Sequence, residues 1–126
     1  MPETKGNVPY RTNWRSRIGI LLTQARWRRA YKVEVNTDYV MAQLQSQNFR
    51  CYYTGESLSL NADKYNAVSI DRLDNALGYV VGNVVITTWG INRAKSNRTA
   101  QEFIDLCKRV SSHQSLREVE DVHDVA

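Results

Sequence analysis

The sequence is poor in cysteine, proline and histidine, with two of each among its 126 residues. The two cysteines, Cys51 and Cys107, allow at most one disulfide, so the chain is not a small scaffold held together by disulfides. We expect both thiols to be free and buried as small apolar groups. Cys-x-x-Cys pairs are missing as well, and no structural zinc site is predicted.

Long apolar runs are also missing. The longest, over residues 18–22 and 80–86, are far shorter than the roughly 20 residues that span a bilayer. No membrane partner is therefore predicted. The N-terminal residues have neither the apolar stretch nor the small-residue cleavage site of a secretory signal, which predicts a cytoplasmic protein, in the host cell if the gene belongs to a phage.

The remaining composition is that of an ordinary globular protein. Hydrophobic residues make up 42% of the chain and charged residues 24%. Disordered chains have fewer apolar residues, and 126 residues fit one compact domain with short extensions. A folded single domain is the expectation.

Positive charge is concentrated at the N-terminus. Residues 1–32 hold eight Lys or Arg and one acidic residue, residues 33–100 are balanced, and residues 101–126 have a net charge of −3. Trp14, Trp27 and Tyr31 interleave with the basic residues. This pattern favours contact with a nucleic-acid backbone, and the alternative is a solvated basic face without a partner. The predicted phosphate contacts in this region are Arg15, Arg17, Arg26, Arg28, Arg29 and Lys32.

Apolar periodicity predicts two helices in the first half of the chain. Residues 1–11 contain both prolines and are predicted to be a flexible leader. A helix from Thr12 or Asn13 to about Tyr31 follows, then a second helix from Thr37 to about Asn48. Residues 49–53 have the composition of a strand, and Thr54 and Gly55 mark a turn after it.

The second half of the chain predicts a hairpin, a short helix and a longer helix. Residues 68–73 and 84–87 have the β-branched composition of paired strands, and a helix follows over residues 88–95. Thr99 and Glu102 have the spacing of a capping box that opens the last helix. Beyond about Ser112 the chain is polar and acidic, which predicts a frayed tail.

Six short motifs, in this order, resemble the HNH endonucleases, particularly short phage-type members. They are residues 51–55 (CYYTG), 69–74 (SIDRLD), 78–79 (GY), 82–86 (GNVVI), 92–95 (NRAK) and 102–104 (EFI) with Cys107. The resemblance covers roughly residues 26–108. It implies an α+β fold in which a ββα-metal hairpin–helix core carries flanking N-terminal and C-terminal helices, and it implies DNA as the substrate.

The resemblance also implies a site for one divalent cation. Asp71 matches the family's acidic metal ligand and Asn92 the helix position filled by His or Asn. Both supply the oxygen donors that Mg²⁺ (or Mn²⁺) prefers. Asn83 matches the family's middle Asn, which braces the loop between the strands. Taken singly, an Asp at a strand end or an Asn after Gly is more often a turn residue.

Arg72 departs from the family pattern, because most members place the general-base His there. A guanidinium stays protonated near pH 7, so Arg72 does not accept a proton from water. It either holds the scissile phosphate or marks a degenerate site that binds DNA without cutting it. Asp74 shares a strand face with Arg72, which favours pairing with Arg72 over service as the missing base. His113 and His123 lie in the tail and are not expected to replace it.

Three basic residues near Asn92 complete the predicted site. Lys95 is one helical turn after Asn92 and is expected either to steady the substrate phosphate or to be a surface lysine. Arg93 and Arg98 are candidate contacts to the DNA backbone.

The sequence predicts a metal-dependent DNA endonuclease with a one-metal mechanism. It divides the chain into a leader (1–11), one domain (12–110, with basic helices over 12–48, the core over 49–98 and a helix over 99–110) and an acidic tail (111–126). A homodimer is possible. The alternatives are a DNA-binding module without catalysis on a degenerate scaffold and, more remotely, a protein-interaction domain.

Overall fold

The computed structural model describes the backbone of residues 7–125 and the side chains of residues 13–119. Within that part it has four helices and one two-stranded sheet, which confirms the predicted α+β class. The elements are α1 (Asn7–Arg28), α2 (Thr37–Ser46), β1 (Val68–Arg72), β2 (Val84–Thr88), α3 (Trp89–Lys95) and α4 (Ala100–Val125).

The two strands form the predicted antiparallel hairpin, with Ile70 opposite Ile86 and Asp71 opposite Val85. Side chains alternate between the two faces of a strand. Ile70 therefore points into the hydrophobic core, whereas Asp71 points to the opposite face and contacts α3. All five residues of β2 are buried, so both faces of the hairpin are covered.

Helices α1 and α2 supply the other wall of the core. Apolar residues recur at helical spacing along α1, and Ile18 and Leu22 are fully buried against Val40 and Leu44 of α2. The same cluster includes Val68, Ile70, Val84 and Ile86 of the hairpin. The hairpin is thus held between the α1–α2 pair on one face and α3 on the other.

Helix α1 begins earlier than the sequence predicts. The leader was expected to end at residue 11, yet the helix starts at Asn7, while residues 1–6 lie outside the described residues. Pro9 falls in the first turn, where its missing N–H has no helical acceptor to lose, so it does not prevent helix formation. The helix ends at Arg28 because Arg29 takes a left-handed conformation, with φ of 55°.

The strand predicted over residues 49–53 is wrong. Asn48 and Phe49 both have positive φ, near 55° and 58°, and Arg50 makes only an isolated bridge to Ser57. A tight turn follows, in which the Gly55 N–H donates to the Cys51 carbonyl. The strand-like composition of residues 49–53 does not reveal this backbone reversal.

Helix α4 is longer than predicted. Thr99 and Glu102 form the predicted capping box through two reciprocal hydrogen bonds of 2.8 and 3.1 Å. The helix continues to Val125, so the tail predicted to fray from about residue 112 is helical. No glycine or proline follows Gly90, and without such a breaker the polar sequence continues the helix.

Two further expectations concern burial. Cys51 is buried as predicted, whereas Cys107 is exposed on α4, and both thiols are free. None of the helices in the described part of the chain combines the length and hydropathy needed to cross a bilayer.

Candidate active site between the hairpin and α3

A buried ion pair joins β1 to α3. The Lys95 Nζ lies 3.2 Å from Oδ1 of Asp71 and donates a second hydrogen bond, of 2.9 Å, to the Arg72 carbonyl. Lys95 is 1% exposed and Asp71 4%. The phenol of Tyr53 donates to the other carboxylate oxygen, Oδ2, at 3.1 Å. One buried carboxylate thus has an ammonium on one oxygen and a hydroxyl on the other.

Burial dominates the electrostatics of this cluster. It raises the pKa of Asp71 above its ordinary value, because desolvation disfavours the carboxylate, and the positive charge of Lys95 opposes that shift. Burial and the negative charge of Asp71 both raise the pKa of Tyr53. The phenol therefore stays protonated and serves as a hydrogen-bond donor to Asp71.

Asn92 lies beside this cluster, one helical turn before Lys95. Its Nδ2 donates to the Ser69 hydroxyl at 2.7 Å and to the Ile70 carbonyl at 3.3 Å. Helix α3 therefore meets β1 through two polar side chains, with Asn92 against residues 69–70 and Lys95 against residues 71–72. The Oδ1 atom of Asn92 accepts no hydrogen bond from another described residue.

The donors in this region suit a hard cation in kind but are few. Asp71 offers a carboxylate and Asn92 an amide oxygen, and Mg²⁺ is commonly held by one or two such groups with water and substrate phosphate completing the shell. Residues 13–119 contain no group of three His, Cys, Asp or Glu side chains that would hold a metal alone. Lys95 and Tyr53 already donate to the two oxygens of Asp71, so a cation here would share that carboxylate with both groups and would need water and phosphate for the rest of its shell.

Asn83 closes the loop between the strands. Its side chain is buried and makes three hydrogen bonds across the loop, accepting from the Asp74 N–H (2.9 Å) and donating to the Asp74 (3.1 Å) and Gly78 (2.9 Å) carbonyls. Gly78 packs so tightly that a Cβ there would lie 2.5 Å from the Lys32 carbonyl oxygen. These contacts fix the loop against the linker that follows α1.

Arg72 points away from Asp71, to the opposite face of β1. Its guanidinium lies 3.5 Å from the centre of the Tyr31 ring and donates to the carbonyls of Asn75 and Leu77. The predicted pairing of Arg72 with Asp74 is wrong. The Asp74 carboxylate instead accepts from the Ala76 N–H at 2.9 Å, as a turn residue does. The Arg72 guanidinium donates to two carbonyls of the same loop and not to this carboxylate.

An open groove of about 540 Å³ runs along the free edge of β1, between α1 and α3. We call it the arginine groove. Arg17 and Arg28 reach it from α1 and Arg93 from α3, and none of the described residues that line it is acidic. Asn92 lies in its wall, together with Ser69, Tyr79 and Trp89.

The other predicted phosphate contacts have different surroundings. Arg15 is paired with Asp38, and Lys32 lies 3.4 Å from Glu34. Arg26 and Arg29 are exposed. Arg98 lies on another surface hollow with Asp74, Glu102 and Asp105, and Lys95 is not a surface lysine because the Asp71 ion pair buries it.

The sequence reasoning missed two contributors to this region. Tyr53 lies in the CYYTG motif, but the motif does not predict its contact with Asp71, which spans 18 residues of chain. Tyr31 interleaves with the basic residues of the N-terminal region, and that pattern does not predict that its ring supports Arg72. Neither contact has a periodicity or spacing signal.

Comparison with known proteins supports the fold. No family model matches the chain, and neither does any curated protein. Among solved structures, the chain is similar to PacI, a rare-cutting HNH restriction endonuclease that perturbs DNA, with a TM-score of 0.58 and 21% identity. The similarity covers 82% of this chain and 81% of that one. The predicted HNH-like hairpin–helix architecture is thereby confirmed.

Proposed function

We propose that this chain, which shares the fold of an HNH restriction endonuclease, is a metal-dependent DNA endonuclease that hydrolyses phosphodiester bonds. The observation that supports the proposal is the buried Asp71–Lys95 pair, which joins hairpin to helix beside a groove lined by three arginines. Buried, paired ionisable groups next to an open groove are typical of functional sites.

Asp71 and Asn92 would hold one Mg²⁺ or Mn²⁺ ion, as the resemblance implies. When bound, such an ion neutralises charge on the phosphate and acidifies water. Tyr53 and Lys95 orient the Asp71 carboxylate through its two oxygens. Asn83 fixes the loop between the strands, so that β1 ends in one conformation.

Arginine side chains would bind the DNA backbone. Arg17, Arg28 and Arg93 form no ion pair with another described residue, so their guanidinium groups are available for phosphate oxygens. Arg26 and Arg29 are exposed at the end of α1 and are proposed as further contacts to the DNA backbone. Arg72 is held by the loop carbonyls and the Tyr31 ring on the face of β1 opposite Asp71. Its proposed role, contact with the scissile phosphate, therefore requires that phosphate to lie at the end of β1, within reach of both faces. A homodimer and a cytoplasmic location are further parts of the proposal.

A plasmid-nicking assay tests this function. Wild type should cleave in Mg²⁺ or Mn²⁺ and not in excess EDTA, and Asp71→Asn should reduce the rate at least about 100-fold because it removes the charged ligand. Asp63→Asn changes an exposed carboxylate in another loop and serves as the matched control. Equal rates for wild type and Asp71→Asn, or no cleavage by wild type with any divalent ion, would contradict the proposal.

A second candidate is a DNA-binding module without catalysis. Two observations favour it: Lys95 already neutralises the Asp71 carboxylate, and Arg72 replaces the general base of the resembling family. This candidate predicts DNA binding that weakens steeply with salt, requires no divalent ion and leaves the DNA intact. The same assay, combined with binding measured in EDTA, separates the two.

A further inference from the structure

We infer that the arginine groove binds DNA through unpaired bases as well as through phosphates, so that the preferred ligand is single-stranded or locally unpaired DNA. This inference rests on the proposed function for its choice of DNA as ligand. It goes beyond that function in naming the form of DNA that the groove selects.

The first observation is the aromatic surface at the groove. Trp89 lines it and is nevertheless 48% exposed, and Trp27, which precedes Arg28 on α1, is 82% exposed. Burying an indole normally stabilises a fold, so the exposed part of the Trp89 indole is unused by the packing. Trp27 is exposed on α1 but is not one of the residues that line the groove. Trp14, in contrast, is buried in the core.

The second observation is that cations accompany this ring. The Arg93 guanidinium lies 5.0 Å from the centre of the Trp89 ring, and Arg17 and Arg28 line the same groove from α1. Nucleic-acid sites that bind single strands combine a basic groove for the backbone with aromatic rings on which bases stack. The planar guanidinium of arginine stacks on bases as well.

A regular duplex would use only half of this surface. Its phosphates face outward and would meet the arginines, but its bases are stacked on each other and offer no free face to an indole. A strand with unpaired bases satisfies both the arginines and the aromatic rings. Because Asn92 lies in the same groove wall, such a strand would pass the candidate active site.

Fluorescence anisotropy in EDTA tests the inference with three labelled probes: an oligonucleotide, its duplex, and the same duplex with a central unpaired stretch. At one salt concentration the single strand and the interrupted duplex should bind at least about tenfold more tightly than the regular duplex. Binding of the single strand should also quench part of the tryptophan fluorescence, since the partly exposed Trp89 indole lines the groove.

Variants separate stacking from charge. Trp89→Ala should weaken single-strand binding about tenfold and duplex binding little, and Trp89→Phe should restore much of the loss because a ring remains. Trp27→Ala, at an exposed tryptophan that does not line the groove, is the matched control and should change single-strand binding little. Arg28→Gln should weaken all three probes alike, and Leu116→Ala, exposed on α4, should change none.

Equal affinity for single strand and duplex would overturn the inference, as would unchanged single-strand binding in Trp89→Ala. If either of these results is accompanied by cleavage of the regular duplex, the inference is wrong but the proposed endonuclease is supported. Single-strand preference without any cleavage would support the inference and contradict the endonuclease. The two proposals therefore fail separately.

Discussion

The hairpin–helix core (β1, β2 and α3) and the outer half of α4 (from residue 113 onward) are both regular secondary structure, yet different interactions stabilise them. Between β1 and α3, Asp71 and Lys95 are buried and hydrogen-bonded. From Cys107 to Val119 every side chain of α4 is exposed. Tertiary contacts therefore hold the first region in place, whereas backbone hydrogen bonds and helix propensity maintain the second.

This difference determines how each region responds to mutation. A buried polar group that loses its partner keeps the cost of its desolvation. An exposed helical side chain that is removed is replaced by water. Substitutions of similar size should therefore have large effects in the hairpin–helix core and small effects in the outer half of α4.

The largest effect is expected at Lys95. Lys95→Met removes the ammonium and leaves Asp71 buried without a cation, so the free energy of unfolding should fall by about 3–5 kcal/mol. Urea denaturation followed by circular dichroism measures it. The control, Lys108→Met at an exposed position of α4, should change stability by less than about 0.5 kcal/mol.

The double variant Asp71→Asn/Lys95→Met checks the physical reason. Removing both charges eliminates the unpaired carboxylate, so the double variant should be more stable than Lys95→Met alone. If it is less stable, the loss comes from packing of the lysine stem and the electrostatic explanation is wrong.

Asn83 should give the next largest effect. Asn83→Ala removes three hydrogen bonds and leaves the Asp74 N–H with no acceptor from that side chain. The expected loss is about 1–3 kcal/mol by the same denaturation measurement. Asn97→Ala, at an exposed position after α3, is the matched control, and an equal loss in both variants would show that the loop does not depend on Asn83.

The pH dependence of the free energy of unfolding tests whether burial raises the pKa of Asp71. Its pKa is raised in the folded state, so between the ordinary value and the raised one the native state binds more protons than the unfolded state. The free energy of unfolding contributed by Asp71 therefore falls as pH rises through that window, by up to about 1.4 kcal/mol per pH unit. A carboxylate whose pKa is lowered by an ion pair behaves in the opposite way.

Measuring urea denaturation of wild type and Asp71→Asn across that window isolates this contribution. The stability of wild type relative to the variant should be greatest at low pH and should decline as pH rises. A relative stability that increases with pH would mean that Lys95 outweighs the desolvation of Asp71.

The sequence predicted local features better than distant contacts. The hairpin, the short helix and the Thr99 capping box follow from alternation and from cap spacing within a few residues. The predicted pairing of Arg72 with Asp74 was wrong. Strand alternation shows which side chains share a face, but it does not show that Arg72 donates to backbone carbonyls of the following loop. The contact of Tyr53 with Asp71 depends on how the chain folds back over 18 residues, and no local pattern encodes it.

The outer half of α4 should give the smallest effect. Deleting residues 113–126 removes about half of the helix, yet the free energy of unfolding should change by less than about 0.5 kcal/mol, because the described side chains there make no buried contact. The helical signal in circular dichroism should fall, since an isolated helical segment has no other support.

Phe103→Ala provides the comparison within the same helix. Phe103 is buried at the start of α4 and packs edge-on against Tyr53 at 5.5 Å, so its removal should cost about 3–5 kcal/mol. If the deletion destabilises the protein as much as Phe103→Ala does, the outer half of α4 is not an independent helical extension. In that case this part of the helix makes contacts on which the stability of the core depends.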